Sequence, residues 1–146
     1  MSKIKIKIKR FDKSLPLPEY KTTGAAAMDL YARETVTIQP HTVGHVPLNI
    51  AVQIPKEYWV LMSARSSLHK QGVMLANGIG VGDSDYCGDG DEYRAALLNF
   101  TDKVVTIEKG DRICQMKILK RDKVELEEVE KLENKDRGGY GSTGRK

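Results

Sequence analysis

The chain has 146 residues, 40% hydrophobic and 30% charged, with 13 glycines, which is the length and make-up of a single turn-rich globular domain spanning 1–146, with no room for a second. Its 24 basic and 20 acidic side chains leave a formal charge of +4, a mild excess that suits a phosphate ligand about as well as weak nonspecific attraction to nucleic acid. The two cysteines, Cys87 and Cys114, lack CxxC spacing, which argues against a disulfide framework or a thiolate metal site and for reduced thiols in a cytoplasmic protein.

The chain opens MSKIKIKIKR. Residues 3–9 alternate lysine and isoleucine, the period-two pattern of a half-buried strand, here an edge strand whose lysine face is solvated rather than a nucleic-acid patch. No continuous apolar run marks a signal peptide or a membrane span. Further β-type runs follow at 35–38, 42–54, 58–62, 94–100, 104–107 and 112–119, most of them separated by Pro- or Gly-containing turns. Many short strands at this spacing predict an all-β sandwich, barrel or jelly roll. One short helix is expected at 66–71, opened by Ser66 and Ser67 as N-cap residues. Residues 124–135 have helix-forming composition, yet Val124, Leu126 and Glu128 also alternate as a strand would. The last ten residues, RGGYGSTGRK, hold four glycines and no hydrophobic side chain except Tyr140, so 137–146 is expected to be a mobile tail.

Four segments carry candidate chemistry. SARSSL (63–68) sets Arg65 before two serines, an arrangement that serves either as an anion site or as an ordinary helix cap. ANGIGVGDSDYCG (76–88) holds Asn77, four glycines, Asp83, Asp85 and Tyr86. Glycines let backbone approach a flat ligand closely, Asn77 offers the donor and acceptor that a base edge requires, and an aspartate can orient and deprotonate water. The same residues would also make a polar turn. In KGDRICQM (109–116), Arg112 and Gln115 enter an otherwise apolar strand, and Asp111 could pair with Arg65 or Arg112. The tail, GYGSTGRK, nearly satisfies a P-loop pattern, but Arg145 stands where lysine is required and no helix can follow. What remains there is Arg137, Ser142 and Thr143 to hold phosphate and Tyr140 to stack on a ring.

Taken in order, these segments resemble the five motifs of the trimeric dUTPase family, with GAAAMDLYA similar to the first and SARSSL, ANGIGVGDSDY, KGDRICQM and RGGYGSTG to the others. The likeness runs from about residue 24 to residue 144. It implies a jelly-roll-like subunit, a homotrimer with active sites shared between subunits, and hydrolysis of dUTP to dUMP and pyrophosphate with Mg²⁺. It further implies that Asp83 activates the attacking water, that Tyr86 lies under the deoxyribose, and that Asn77, Gly80 and nearby backbone read uracil. Arg65, Ser66, Ser67 and Gln115 would hold phosphates or the water, and Asp29 would meet the metal through its hydration shell. Arg137, Gly141, Ser142 and Thr143 would close on the γ-phosphate, with Tyr140 stacked on the base. In that reading 124–132 is an exchanged strand and arm rather than a helix. No membrane and no stable nucleic-acid partner is implied.

The chain departs from the family pattern at several points. Gly82 stands where a bulky aliphatic residue commonly precedes the catalytic aspartate, Ala27 replaces a usual glycine, and the run after Gly88 is long. Arg137 is close to Tyr140, so Lys135 could share its role. Two other functions fit the sequence less well. A dCTP deaminase of the same fold would need a glutamate on the strand after the third motif, and residues 95–99 contain none. A catalytically silent nucleotide-binding regulator would not need Asp83 together with the complete tail.

Overall fold

The computed structural model describes residues 2–146, and within them the chain forms eleven strands and one 3₁₀ turn. In chain order these are β1 (Lys7–Arg10), β2 (Met28–Tyr31), β3 (Val36–Ile38), β4 (Val43–Pro47), β5 (Ile50–Gln53), β6 (Tyr58–Ala64), the 3₁₀ turn (Leu68–Gln71), β7 (Val73–Leu75), β8 (Gly80–Gly82), β9 (Arg94–Asn99), β10 (Val105–Ile107) and β11 (Arg112–Lys120). All described pairings are antiparallel, in four small sheets ordered β1-β5, β10-β3, β2-β11-β6-β8 and β4-β9-β7. Their inner faces share one core built around Leu30, Ile38, Val46, Leu48, Val60, Leu97, Ile107, Ile113 and Met116. In β9, Ala95, Leu97 and Asn99 point inward, as a period of two requires. This is the all-β arrangement expected from the spacing of the short strands, and it is jelly-roll-like as the family resemblance implies.

Buried Asn99 shows how a polar side chain earns a core position. Its Nδ2 donates to the Ile38 carbonyl at 2.9 Å and the Lys103 carbonyl at 2.7 Å, and its Oδ1 accepts from Thr101 N–H at 2.9 Å. With its donors and acceptor engaged, the amide closes the turn after β9 without a desolvation loss.

The structure corrects several expectations. The run 42–54 is not one strand but two, broken at Asn49, which adopts φ 72°. The break lets the chain change partner from β9 to β1, and the N–H freed at Asn49 donates to the buried Glu92 carboxylate at 2.9 Å. The N-terminal strand begins at Lys7 rather than Lys3, because only residues 7–10 face a partner, β5. The helix expected at 66–71 is a four-residue 3₁₀ turn, closed by Gly72 at φ 83°. The element is a single 3₁₀ turn, and Ser67 makes no side-chain cap bond to it. Three strands lay outside the expected set: β2, β7 and β8. Residues 121–146 are exposed throughout and join none of the strands.

Candidate functional site

The central sheet arranges the first group of candidate residues. Gln115 on β11 stands directly opposite Asp29 on β2 and Ser63 on β6, so the three occupy one row on one face. The next row, Met28–Met116–Met62, points the other way into the core. A bulge between Arg112 and Cys114 shifts the register against β2, which brings Arg112 back toward Asp29. Arg112 Nη1 lies 3.1 Å and Arg65 Nε 3.4 Å from Asp29 Oδ2, while Arg65 Nη1 donates to the Arg112 carbonyl at 3.0 Å. Gln115 Nε2 donates to the Ala64 carbonyl at 3.0 Å. One carboxylate thus holds two guanidinium groups in place, and the net charge of the trio is positive. Exposed Ser66 and half-buried Ser67 follow immediately. Such a surface can receive an anion by charge and hydroxyl contact, without a helix dipole.

The expectation that Asp111 pairs with Arg65 or Arg112 is overturned. Asp111 Oδ2 instead accepts from the Glu108 backbone N–H at 2.9 Å, closing the turn before β11. Asp29 takes the arginines because β2 lies alongside β11, and only that long-range pairing could have revealed it.

The second group surrounds a cavity of about 320 Å³ lined by Met62, Asn77, Gly80, Val81, Gly82, Asp83, Tyr86, Glu92, Tyr93 and Arg94. The glycine-rich run is not a closed two-stranded hairpin. Its first arm, β7, pairs with β9, and its second, β8, pairs with β6, so the turn between them bridges two sheets. Gly78 turns at φ 75°, and Asn77 Nδ2 donates to the Ile79 carbonyl at 2.9 Å. Asp83 is exposed at the end of β8. Tyr86 donates its hydroxyl to the Glu92 carbonyl at 2.8 Å and meets the Tyr93 ring edge to face, with centroids 5.4 Å apart and planes at 90°.

Beneath these, Glu92 is buried and accepts from Arg33 Nε at 2.7 Å and Nη2 at 2.9 Å. Hydrogen bonding to that carboxylate raises the Arg33 pKa above its ordinary value. The Tyr93 hydroxyl is pushed up to about 12, first by burial and then by the nearby Tyr86 and Asp83. Burial likewise raises the Cys114 thiol to about 12, which leaves it a protonated core side chain at neutral pH. Neither Glu92 nor Tyr93 stood out in the sequence, although the long run after Gly88 contains both.

The two groups do not meet within the chain. The cavity borders Met62 and Gly80, paired across β6–β8, whereas Asp29, Gln115 and Ser63 occupy the opposite face of the same sheet. The tail approaches neither group: Arg137, Gly141, Ser142 and Thr143 are exposed, and Tyr140 is fully so. Among the described residues no group of three or more His, Cys, Asp or Glu side chains could hold a metal ion, and no helix is long and apolar enough to cross a membrane.

A sequence model of the dUTPase family matches residues 13–144. The deoxyuridine 5'-triphosphate nucleotidohydrolase of Finegoldia magna is 40% identical over 145 residues, covering 95% of this chain and 99% of that one. The protein of the same name from Hydrogenobaculum is 40% identical over 147 residues, covering 98% and 100%. Among solved structures, a Staphylococcus bacteriophage 80alpha dUTPase mutant with dUpNHpp superposes with a TM-score of 0.83 at 23% identity, over 97% of this chain and 99% of that one. A dUTPase mutant from S. aureus phage phi11, described with a structural Mg(II) ion, gives 0.78 at 20% identity, over 89% and 99%.

Proposed function

The chain belongs to the dUTPase family, and on that premise we propose that it hydrolyses dUTP to dUMP and pyrophosphate at a site assembled from the two groups and the tail. The observation that carries the reading is the cavity that puts Asn77, Gly80, Asp83 and Tyr86 around one space. Asn77 and the glycine backbone are suited to a uracil edge, and a bare Gly80 leaves room for a planar ring. Tyr86, fixed at its hydroxyl and against Tyr93, forms a wall against which a ribose 2′-hydroxyl would collide.

Asp83 serves as the general base. It orients a water molecule and takes its proton as the water oxygen attacks the α-phosphorus, and the bond to the bridging oxygen breaks to release pyrophosphate. Arg65, Ser66, Ser67 and Gln115 hold the phosphates by charge-assisted and neutral hydrogen bonds. The chain fits a magnesium ion carried in by the triphosphate rather than caged by protein, because Asp29 is the carboxylate beside the anion surface and its Oδ2 already holds two arginines. Asp29 would meet such an ion through its hydration water. When bound, Mg²⁺ neutralises phosphate charge and favours the leaving pyrophosphate.

The tail closes over the bound nucleotide, with Arg137, Gly141, Ser142 and Thr143 toward the γ-phosphate and Tyr140 stacked on the base. Because the anion surface and the cavity lie on opposite faces of one sheet, a whole site draws them from different subunits of a homotrimer. The exposed apolar residues Val124, Leu126 and Leu132 mark 124–132 as the exchanged segment that carries the tail across.

Pyrophosphate release from a panel of deoxynucleotides tests the reading. dUTP should be cleaved far faster than dTTP, dCTP or UTP, and only with a divalent cation. Asp83→Asn should lower kcat by about 10²-fold or more while nucleotide still binds. Equal rates on dTTP and dUTP would defeat the base assignment, and near-normal turnover of Asp83→Asn would move the base elsewhere.

A further inference from the structure

Gly82 is buried beside the proposed base, and the space its missing side chain leaves is filled from another strand. A Cβ built on Gly82 would fall 2.9 Å from both Cε1 and Cζ of Tyr93, and nearer still to the hydroxyl oxygen. Tyr93 therefore occupies the place that a residue-82 side chain would take. Tyr93 is 7% exposed and its ring packs edge to face against Tyr86. Its hydroxyl is the one buried side-chain polar atom among the described residues that has no hydrogen-bond partner. A hydroxyl buried this way adds nothing to stability, so what the fold gains from Tyr93 must come through its ring.

That ring is one of two restraints on Tyr86. The other is the hydrogen bond from the Tyr86 hydroxyl to the carbonyl of Glu92, the residue next to Tyr93. A hydroxyl anchor fixes one end of a phenol but leaves the ring free to tilt about it. An edge-to-face neighbour removes that tilt, because the arrangement has a preferred plane. Steric rejection of one additional hydroxyl depends on such stiffness, since a wall that tilts away admits the larger sugar.

We propose that Tyr93, made possible by Gly82, is a positioning residue that sets the discrimination between deoxyribose and ribose by holding Tyr86 rigid. The inference rests on the dUTP reading above and adds the residue pair on which its sugar selectivity depends. Nothing in it requires Tyr93 to touch the nucleotide.

The experiment compares kcat/KM for dUTP and UTP in the full-length wild-type enzyme and in Tyr93→Leu, Gly82→Ala, Tyr93→Phe and the Gly82→Ala/Tyr93→Leu double variant. The readout is the ratio of the two constants in one preparation, so it does not depend on how much of a variant is folded. Steric selection of this kind reaches about 10²-fold. Tyr93→Leu, which removes the ring, should lower the ratio about tenfold. Gly82→Ala, which displaces the ring, should lower it similarly, and the double variant should fall no further than either alone. Tyr93→Phe, which keeps the ring, should hold the wild-type ratio. A wild-type enzyme that does not prefer dUTP would defeat the underlying reading. A preferring wild type whose ratio survives Tyr93→Leu, or is lost in Tyr93→Phe, would overturn the inference alone.

Discussion

Arg112 reaches across the β2–β11 pair and sets its Nη1 3.1 Å from Asp29 Oδ2, a carboxylate that also holds Arg65 at 3.4 Å. The Asp29 side chain is only 15% exposed, so its charge is felt by both cations with little solvent screening. Asp29→Asn keeps the shape and removes the charge, leaving the two guanidinium groups to repel. It should lower unfolding free energy by about 1–2 kcal/mol and move the midpoint of the Mg²⁺ activation curve upward. Urea melts and a magnesium titration at saturating dUTP measure the two effects separately. A shifted melt with an unmoved midpoint would confine Asp29 to the arginines.

Glu92 presents a different case, a buried carboxylate with a bidentate arginine and a backbone donor. Glu92→Ala strands the Arg33 guanidinium and the Asn49 N–H together. Leaving a charge unpaired at such a site costs about 3–5 kcal/mol, a large share of a small domain's stability. The variant should therefore unfold at much lower urea. Arg33→Met with Glu92→Leu, which removes both charges, should recover most of the stability. A double variant no better than the single would place the loss in the backbone rather than in the unpaired charge.

Removal of 137–146 should leave the melting temperature nearly unchanged and the activity very low. In the structure this segment is wholly exposed, so deleting it uncovers no core. If the tail closes only over nucleotide, a non-hydrolysable dUTP analogue should slow proteolysis within it. A tail equally resistant with and without the analogue would count against closure.

Much of this architecture was legible because its signals are local. Short apolar, β-type runs at 94–100 and 112–119 mark β9 and β11, and the glycine and aspartate content of 76–88 marks the cavity wall. Strand β8 reads as a turn in the sequence because two of its three residues are glycine, which strands disfavour. Residues 66–71 read as a helix in the sequence, but Gly72 closes the turn after four residues. Long-range choices were hidden for a different reason. That Asp29 rather than Asp111 takes the arginines depends on which strand lies beside β11. That Gly82 departs from the family pattern is visible in the sequence, but that Tyr93 fills the space beside it needs the fold.

The shared site gives the most demanding test, because it links the trimer to the chemistry. In the proposed assembly Asp83 at one site comes from one chain and Tyr140 from another. The Asp83→Asn protein has an intact tail, and the protein truncated before Arg137 has an intact Asp83; each alone should be nearly inactive. Co-expressed in equal amounts and mixing at random, they restore a site when its aspartate comes from a truncated chain and its tail from a substituted one. Each condition is met about half the time in a cyclic assembly, so about one quarter of wild-type activity should return. If each chain built its own site, no mixed assembly could contain a whole one, because every chain carries one defect. Tandem purification on two different tags, with mass measurement, establishes that mixed trimers are present. Background activity in that fraction would then exclude sharing, and a monomeric mass for the wild-type protein would exclude the trimer itself.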